Sequence, residues 1–466
     1  MNRIIAILMM TLLVVTAGER LCGEDATPAV KAEQLRAGAA EIDVTPPAKG
    51  TLLAMRPVRS TGVAEPLFAR ALVLDDGHQK VAIVTNDYCG FDIPFNQRLL
   101  TAIHEATGIP TSHIMINSSH NHSAPLIGSW APPNSDGPLP WHQQLIDKFA
   151  QVVKSASDSL EPARLRFQRE PTQLGMNRRL PHAGDIVMAP NPYGNNLPWT
   201  DVLSVEQLEG KGRIAALFSY AAHPVLVQRA STLIGGDYPG YTVGRLQKMA
   251  QRGGSGGVFM FAQGASGDIN AFPLAGGIDA AKTASRDLAY AVQRAIQLPG
   301  HAIPSQRLAV AALELQLPLQ DPPPVKEIKK QISATTDAAR LRWLQGLLKI
   351  SKSEKRPTLS YPISAVAFGD ELCILALPHE TFSHYTLFAE SVSPFPHNLV
   401  MAYTNGVNGY VATRRDYLLG AAGGYEASRF GSAMNYTTRL APAPESQQII
   451  EEGIEQLYKE LRRPNQ

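Results

Sequence analysis

Short apolar runs typical of β-strands alternate with a helical segment and with turn residues between residues 37 and 125. The strand patterns lie at residues 39–44, 68–74, 81–86 and 114–117, with a helix near residues 96–107. Turn residues mark the changes, as in Asp75-Asp76-Gly77. Periodicity that switches in this way predicts an α/β fold, with layered mixed β-sheets and flanking helices.

The same alternation continues through the rest of the chain. Further strands are expected at residues 163–167, 202–208, 214–222, 258–263, 305–317, 363–368 and 372–377, with helices near 241–252 and 279–297. Residues 325–355 are charged and carry leucines at helical spacing, which predicts an amphipathic helical hairpin. We therefore expect one large domain over residues 34–442, with a helical insertion at about 322–356. A C-terminal helix and tail would occupy residues 443–466.

The N-terminus has the pattern of a secretory signal peptide. An apolar run over residues 4–15, broken only by Thr11, precedes small residues that include Ala17. The run is shorter than the roughly 20 residues that cross a bilayer. We expect residues 1–23 to be the leader, with cleavage near 17–23. No later segment is apolar enough to span, so we expect a soluble secreted or periplasmic protein.

Charge and cysteine content exclude two broad classes of protein. The net charge is +2, and no basic stripe is present that could neutralise a phosphate backbone, which argues against a nucleic-acid partner. Three cysteines are too few for a disulfide scaffold. Cys89 and Cys373 lie in strand-like runs, so we expect buried thiols. The oligomeric state is not predicted.

Two histidines follow directly after the strand pattern at residues 114–117. In extended backbone, alternate residues face the same way, so His120 and His122 could point into one cleft. Neutral imidazole is the commonest protein ligand for a metal such as zinc. Histidines also occur as hydrogen-bonded loop residues, and the pair alone leaves both interpretations open.

Other polar side chains also follow apolar strands, where layered α/β proteins build their sites. These residues are His223, Asp268, Glu380 and Tyr410. Two known motifs do not fit.

The zinc-protease helix motif His-Glu-x-x-His requires its second histidine four residues after the first. Here His384 follows His379 by five residues, so the two rings would diverge on a helix. The nucleophile-elbow motif Gly-x-Ser-x-Gly of serine hydrolases is also incomplete around Ser266, because Asp268 stands in place of the second glycine.

Taken together, several blocks resemble the neutral, non-lysosomal ceramidases and their secreted relatives. The blocks are Asn117-Ser-Ser-His-Asn-His-Ser-Ala-Pro125, Asn177-Arg178, Ala222-His-Pro224 with Gly236-Asp237, residues 262–268, Pro378-His-Glu380, Thr404-Asn405, Gly409-Tyr410 and Gly424-Tyr425-Glu426. The resemblance implies a zinc-dependent hydrolase in which His120, His223, Glu380 and Tyr410 hold the metal.

The implied ligand set makes chemical sense. Two imidazoles and one carboxylate leave zinc a net positive charge, enough to bring the pKa of a bound water to about 7. Tyr410 would coordinate as phenolate, or would bind weakly and donate its hydroxyl to an oxyanion. His122 would move protons, Arg178 would stabilise charge with Tyr410, and Asn270 would hold the substrate.

Three acidic residues are expected to lie next to the metal ligands and to stabilise them without binding the metal. They are Asp87, Asp237 and Asp268. Asp87 follows a strand and could orient a histidine ring, although it could equally cap a turn.

The chain departs from the family pattern at the serine of Gly-Asp-Val-Ser-Pro-Asn, where Asn270 stands instead. An amide can hydrogen-bond a substrate but cannot act as an alkoxide nucleophile. The family's usual C-terminal immunoglobulin-like domain is also not expected in this chain.

The leading hypothesis is therefore an exported zinc-dependent amidase acting on a small-molecule or lipid N-acyl substrate, in a single catalytic domain. Alternatives are a zinc hydrolase of another amide or ester, such as a carbohydrate or cell-wall N-acyl group, and a metal-containing binding protein without turnover. A structural protein whose histidines merely pack would bind no metal.

Overall fold

Two β-sheets packed face to face, with helices on both outer sides, form the core of the computed structural model. It describes residues 34–54, 58–128, 139–210, 212–304, 307–428 and 440–463. The strands are β1 (Arg36–Asp43), β2 (Gly62–Val63), β3 (Phe68–Asp75), β4 (Lys80–Asn86), β5 (Gly90–Phe91), β6 (Ile114–Ser118), β7 (Leu126–Ile127), β8 (Glu161–Pro171), β9 (Gly175–Asn177), β10 (Arg179–His182), β11 (Asp185–Met188), β12 (Trp199–Gln207), β13 (Arg213–Tyr220), β14 (Leu233–Ile234), β15 (Val258–Gln263), β16 (Ile269–Ala271), β17 (His301–Ile303), β18 (Leu308–Pro318), β19 (Thr358–Phe368), β20 (Leu372–Ala376), β21 (Glu380–Thr381), β22 (His397–Met401) and β23 (Tyr410–Val411).

Helices connect the strands and cover the sheets. They are α1 (Ile93–Thr107), α2 (Pro140–Asp158), α3 (Asp237–Arg252), α4 (Ile278–Gln297), α5 (Val325–Ser333), α6 (Ala338–Ser351), α7 (His384–Val392), α8 (Arg414–Leu418), α9 (Gly424–Ala427) and α10 (Ser446–Leu461). Short 3-10 turns lie at Thr111–His113, Gln228–Ala230 and Gly420–Gly423.

The larger sheet has nine strands in the order β15-β13-β12-β8-β1-β3-β4-β6, with β17 paired to β8. Most neighbours are antiparallel, but β4 and β6 are parallel, as are β13 and β15. The second sheet has the order β18-β19-β20-β22, and its β20 and β22 are parallel. Both sheets are therefore mixed.

The hydrophobic core runs in layers between these elements. The inner layer joins residues of the larger sheet, such as Leu72 and Leu217, to residues of the second sheet, such as Ile374 and Met401. On the far side of the larger sheet, α1 and α2 cover one part, and α3 and α4 cover another. The strands are buried on both faces, which explains their continuous apolar runs.

These observations confirm the predicted α/β class of layered mixed sheets with flanking helices. Helix α2 was missed, although its buried Leu145, Ile146, Phe149 and Val153 recur at helical spacing. Two helices, α5 and α6, occupy the stretch for which we expected an amphipathic hairpin.

The predicted leader at residues 1–23, which includes Cys22, lies outside the described residues. Among the residues that are described, no helix combines the length and apolar character needed to cross a membrane. Cys89 and Cys373 are buried free thiols, as expected.

Candidate active site

His120 follows β6, where the chain turns sharply out of the larger sheet. Its φ of 62° places a non-glycine residue in the left-handed region. His379, beside Glu380, has the same φ, and Tyr403 is close to it at 53°. Such conformations are unfavourable for these residue types, and they cluster where function requires a fixed geometry.

His120, His223 and Glu380 converge at one buried point, although they come from distant parts of the sequence. The Nε2 atom of His223 lies 3.0 Å from Oε2 of Glu380, and Nε2 of His120 lies 3.2 Å from the same oxygen. The side chains of all three residues are fully buried. One ligand atom from each lies within 4.8 Å of the others, a spacing that a single metal ion could bridge.

Main-chain carbonyls fix the orientation of both rings. Nδ1 of His120 lies 2.7 Å from the carbonyl oxygen of Cys89, and Nδ1 of His223 lies 2.8 Å from that of Ser266. A carbonyl oxygen can only accept, so each Nδ1 carries a hydrogen and each neutral ring presents a lone pair from Nε2.

With both rings neutral, two nitrogen lone pairs and a carboxylate oxygen therefore face one another. His120 Nε2 has no hydrogen-bond partner in the described part of the chain. Such an arrangement is repulsive unless a metal cation or a proton lies between the atoms. Imidazole nitrogens and a carboxylate are the donor set that zinc takes, so these residues fit the metal that the sequence predicts.

The proton affinities of the cluster reflect the same crowding. Burial raises the pKa of Glu380, but the positive charge of a protonated His120 and the neighbouring His223 outweigh burial and hold that pKa well below its usual value. Burial alone would lower the pKa of His120, but the neighbouring Cys89 and Glu380 raise it to about 10. Burial and the Arg178 charge lower the pKa of His223 to about 4. Without a metal, the cluster thus holds a positive charge beside the Glu380 carboxylate.

A second group of potential ligands overlaps the first. Atoms of Cys89, His120 and His122 also lie within 4.8 Å of one another. The thiol sulfur is 3.7 Å from Nδ1 of His120, which already donates to the Cys89 carbonyl. Coordination there would break that hydrogen bond, so the group with Glu380 is the better site.

His122 lies beside the cluster and is held by Gln228. Its ring centroid is 5.2 Å from that of His120, and its Nδ1 lies 3.2 Å from Nε2 of Gln228. The amide donates, so Nδ1 accepts and Nε2 carries the hydrogen. That buried Nε2 has no hydrogen-bond partner among the described residues. Burial and the charges of His120 and His223 lower the pKa of His122 well below its usual value.

Arg178 and Asn270 are brought together on the other side of the cluster. Nη1 of Arg178 donates a 2.9 Å hydrogen bond to Oδ1 of Asn270, and Nε donates one of the same length to Glu426. The buried Nη2 atom makes no hydrogen bond of ordinary geometry within the described residues. Despite burial, the neighbouring Tyr410 and Glu426 raise the pKa of Arg178 well above its usual value. The guanidinium therefore stays charged.

Tyr410 is positioned next to Glu380 by the parallel pairing of β21 with β23. The guanidinium carbon of Arg178 lies 5.3 Å from the centre of its ring. Burial and the Glu380 carboxylate raise the pKa of Tyr410 well above its usual value. The phenol is therefore protonated unless a metal ion binds it.

The whole arrangement can be compared with known proteins. Residues 35–275, more than half of the chain, match the family model described as "Neutral/alkaline non-lysosomal ceramidase, N-terminal". The chain belongs to the neutral/alkaline non-lysosomal ceramidase family. The predicted resemblance is thereby confirmed.

Solved structures of ceramidases share the fold. The crystal structure of neutral ceramidase from Pseudomonas aeruginosa is 18% identical and superimposes with a TM-score of 0.70, covering 93% of this chain and 75% of that one. A structure titled "Ceramidase complexed with C2" is 17% identical, with a TM-score of 0.70, and covers 92% and 75% of the two chains. At these identities the match establishes the fold.

Asp268 connects two of the segments that carry site residues. Its Oδ1 accepts a 2.7 Å bond from the Ser383 N–H, and its Oδ2 accepts from the Ser383 hydroxyl and from Asn177. Its carbonyl oxygen also accepts from the Arg178 N–H. The Asp268 carboxylate therefore fastens the turn after Glu380 to the strand that precedes Arg178.

Asp237 supports the segment after His223 from further away. Its Oδ2 accepts a 2.8 Å bond from the Val227 N–H, and the hydroxyl of the next residue, Tyr238, donates to the carbonyl oxygen of Ala222. Burial raises the pKa of Asp237 to about 6.

The ring-orienting role considered for Asp87 is wrong. Its carboxylate accepts from the Phe68 N–H at 2.8 Å and from Arg70 at 3.1 Å, while main-chain carbonyls orient the two Nδ1 atoms. Asp87 still contacts the histidine turn, because its carbonyl oxygen accepts from the Asn121 side chain. The alternative, a structural role at the strand end, is what the geometry supports.

Sequence reasoning missed several residues around the cluster. The ring of Tyr403 packs 4.6 Å from that of His120, and its hydroxyl lies 3.5 Å from Nε2 of His223. Gln228 and Glu426 were not singled out either. Glu426 stands in a block that carried the family resemblance, which was a usable signal, whereas nothing in the sequence around Gln228 pointed to His122.

Proposed function

We propose that this protein is an exported zinc-dependent hydrolase, an amidase that cleaves the N-acyl bond of a ceramide-like substrate. The observation that carries the proposal is the convergence of His120 Nε2, His223 Nε2 and Glu380 Oε2 on one buried point. Membership of the ceramidase family supports the reaction class. The signal-peptide pattern at residues 1–23 supports export.

The three converging residues would hold zinc, with Tyr410 as the fourth candidate ligand. Zinc held there would lower the pKa of water to about 7 and polarise the substrate carbonyl. Burial of the ligands keeps bulk water away and strengthens each charge interaction in the site.

His122 would donate a hydrogen bond to the substrate. In the tautomer that Gln228 favours, the proton lies on Nε2, and this atom has no hydrogen-bond partner among the described residues. It could donate a hydrogen bond to a substrate oxygen as negative charge develops there. The proton released by the attacking water would pass to the leaving nitrogen, so that the reaction yields a carboxylic acid and an amine.

Arg178 and Asn270 would hold the acyl group. Arg178 stays charged and has a buried Nη2 without a partner of ordinary hydrogen-bond geometry in the described part, so it could stabilise negative charge on the carbonyl oxygen. Asn270 has its Oδ1 engaged by Arg178, and its Nδ2 is the hydrogen-bond donor of that side chain.

A second candidate function is hydrolysis of another amide or of an ester by the same site. The observation that favours it is Asn270, which stands where family ceramidases carry a serine and which contacts Arg178 directly. The two candidate functions therefore differ in the bond that is cleaved: the N-acyl bond of a ceramide-like substrate, or another amide or an ester.

The test is product release from three substrates: a short-chain N-acyl sphingosine, an N-acyl amino sugar and a fatty-acyl ester. Wild type should release sphingosine, and His223→Ala should release none while keeping its circular dichroism spectrum. His301→Ala, a change of the same kind at an exposed strand residue, should retain activity. Cleavage of the sugar or ester alone would favour the second candidate. Full activity of His223→Ala would contradict both.

A further inference from the structure

A cavity separate from the candidate metal ligands lies between α3, the first turns of α4 and the start of β3. Its volume is about 610 Å³. The residues that line it include Glu65, Arg70, Arg245, Lys248 and Lys282, and none of the candidate metal ligands is among them. Nothing in the proposed hydrolysis uses this cavity.

A carboxyl group without an ordinary partner is buried at its edge. Oε2 of Glu65 makes no hydrogen bond to the residues that the structure describes. Burial, reinforced by the nearby Asp87 carboxylate, raises the pKa of Glu65 to about 7. At neutral pH this group is therefore protonated for part of the time and can then donate a hydrogen bond.

Helix α3 carries two glycines, Gly240 and Gly244, where it faces the Glu65 carboxyl group. A Cβ atom on Gly240 would lie 2.9 Å from Oε2 of Glu65, and one on Gly244 would lie 3.6 Å from Oε1. Each glycine inside a helix costs about 1 kcal/mol relative to alanine. Both glycines lie on turns of α3 that face the cavity.

The remaining charges in the cavity are mostly positive. Arg70 pairs with Glu41 and Asp87, at 2.7 Å and 3.1 Å, so it adds no positive charge to the excess. Arg245 contributes a buried Nε atom with no hydrogen-bond partner among the described residues.

The two lysines add to this excess. The Lys282 ammonium lies 5.8 Å from the centre of the Tyr241 ring, and Lys248 is close enough to Glu65 to oppose the rise in its pKa. Arg245 and the two exposed lysines thus bring three positive charges to a cavity lined by two carboxyl groups, Glu65 and Asp87, in a protein whose net charge is only +2.

We propose that this cavity is a binding site for a compact oxyanion, a carboxylate or phosphate group, held by Arg245, Lys248 and Lys282. Arginine and lysine side chains are the usual partners of such groups, and a partly enclosed site strengthens each charge-assisted hydrogen bond. A cationic ligand is disfavoured, because it would meet three cations, while the Asp87 carboxylate is paired with Arg70 and the Glu65 carboxyl group is only partly ionised.

The test is titration of the full-length protein with inorganic phosphate and, separately, with acetate, by calorimetry at constant ionic strength. We expect saturable binding of at least one of the two anions. The double variant Lys248→Gln/Lys282→Gln should weaken it at least tenfold. The matched double variant Lys154→Gln/Lys459→Gln, on exposed helix positions elsewhere, should bind like wild type. No saturable binding, or equal affinity in the Lys248/Lys282 variant, would overturn the proposal.

Two further arms separate this site from others. Phosphate can also bind a metal ion, so the titration is repeated with His223→Ala, in which binding at the cavity should persist even if hydrolysis is lost. Sedimentation with phosphatidylglycerol vesicles tests a lipid headgroup as the source of the anion. Where saturable phosphate or acetate binding is found, the absence of vesicle binding assigns a free anion, and vesicle binding that the Lys248/Lys282 variant abolishes assigns a headgroup.

Discussion

Nη1 of Arg178 donates a 2.9 Å hydrogen bond to Oδ1 of Asn270, so the residue that replaces the family serine is tied to a buried charge next to the candidate metal ligands. Both side chains are almost fully buried, at 3% and 1% exposure. The asparagine therefore has a defined role here: it orients the guanidinium.

Asn270→Ala should reduce kcat/KM about 10- to 100-fold, because a hydrogen bond to a charged group is worth about 1.5–3 kcal/mol and Arg178 would lose its orientation. Metal content should not change. Asn270→Ser, which keeps a hydroxyl acceptor, should retain more activity than the alanine variant. Steady-state kinetics on the substrate identified above checks this, and an unimpaired alanine variant would exclude Asn270 from the site.

Gln228→Leu should lower kcat by about 100-fold with little change in KM, because it removes the donor that places the proton of His122 on Nε2. Gln228→Glu should lower kcat as well, since an ionised carboxylate accepts a hydrogen from Nδ1 and so favours the opposite tautomer. The neighbouring exposed Arg229→Gln is the control and should behave like wild type. If kcat of both Gln228 variants matched wild type, the Nε2–H group of His122 would have no part in the reaction.

Glu426→Gln should destabilise the fold by about 3–5 kcal/mol. The Glu426 carboxylate binds Arg178 at 2.9 Å and Arg179 at 2.5 Å, and its removal leaves the buried Arg178 guanidinium without its ion-pair partner, while Arg179 keeps Asp416 at 2.9 Å. Urea unfolding measures the change. Glu445→Gln breaks an ion pair with Arg356 whose partners are both 44% exposed, and it should change stability by less than about 1 kcal/mol. Equal effects of the two changes would contradict this interpretation of burial.

Glu65→Gln should alter how stability depends on pH. The folded pKa of about 7 exceeds the ordinary value of 4.5, so the folded protein keeps a proton that the unfolded chain has lost. The stabilisation is complete below pH 4.5 and is lost as the pH rises through 7. Relative to the glutamine variant, wild type should therefore lose roughly 2 kcal/mol between pH 5 and pH 8. Thermal unfolding of both proteins checks this, and parallel pH profiles would contradict it.

The sequence was sufficient to predict the fold class because the strands are buried on both faces and read as continuous apolar runs. Residues 258–263, for example, were predicted with the bounds that β15 has. Helix α2 was not predicted, although its buried residues recur at helical spacing; the helix begins at Pro140, directly after a segment rich in prolines. The two-residue strands β21 and β23 have no signal of their own, since their pairing depends on the surrounding layers.

For the site, strand-end placement and family resemblance identified His120, His223 and Glu380, which the structure brings together. Their distances could not be predicted, because Glu380 is more than 150 residues from His223 and reaches it only through packing of the two sheets. The supporting groups were the hardest to foresee. Any residue has a carbonyl oxygen, so no sequence pattern distinguishes the carbonyls of Cys89 and Ser266 that orient the rings.

The most direct test of the central claim is the zinc content of the purified protein by elemental analysis, in wild type, Glu380→Gln and the exposed control Glu354→Gln. We expect about one zinc per chain in wild type and in the control, and almost none in Glu380→Gln, because the carboxylate that faces both Nε2 atoms would be gone. Zinc-free wild-type protein that still hydrolyses its substrate, or an unchanged zinc content in Glu380→Gln, would contradict the account.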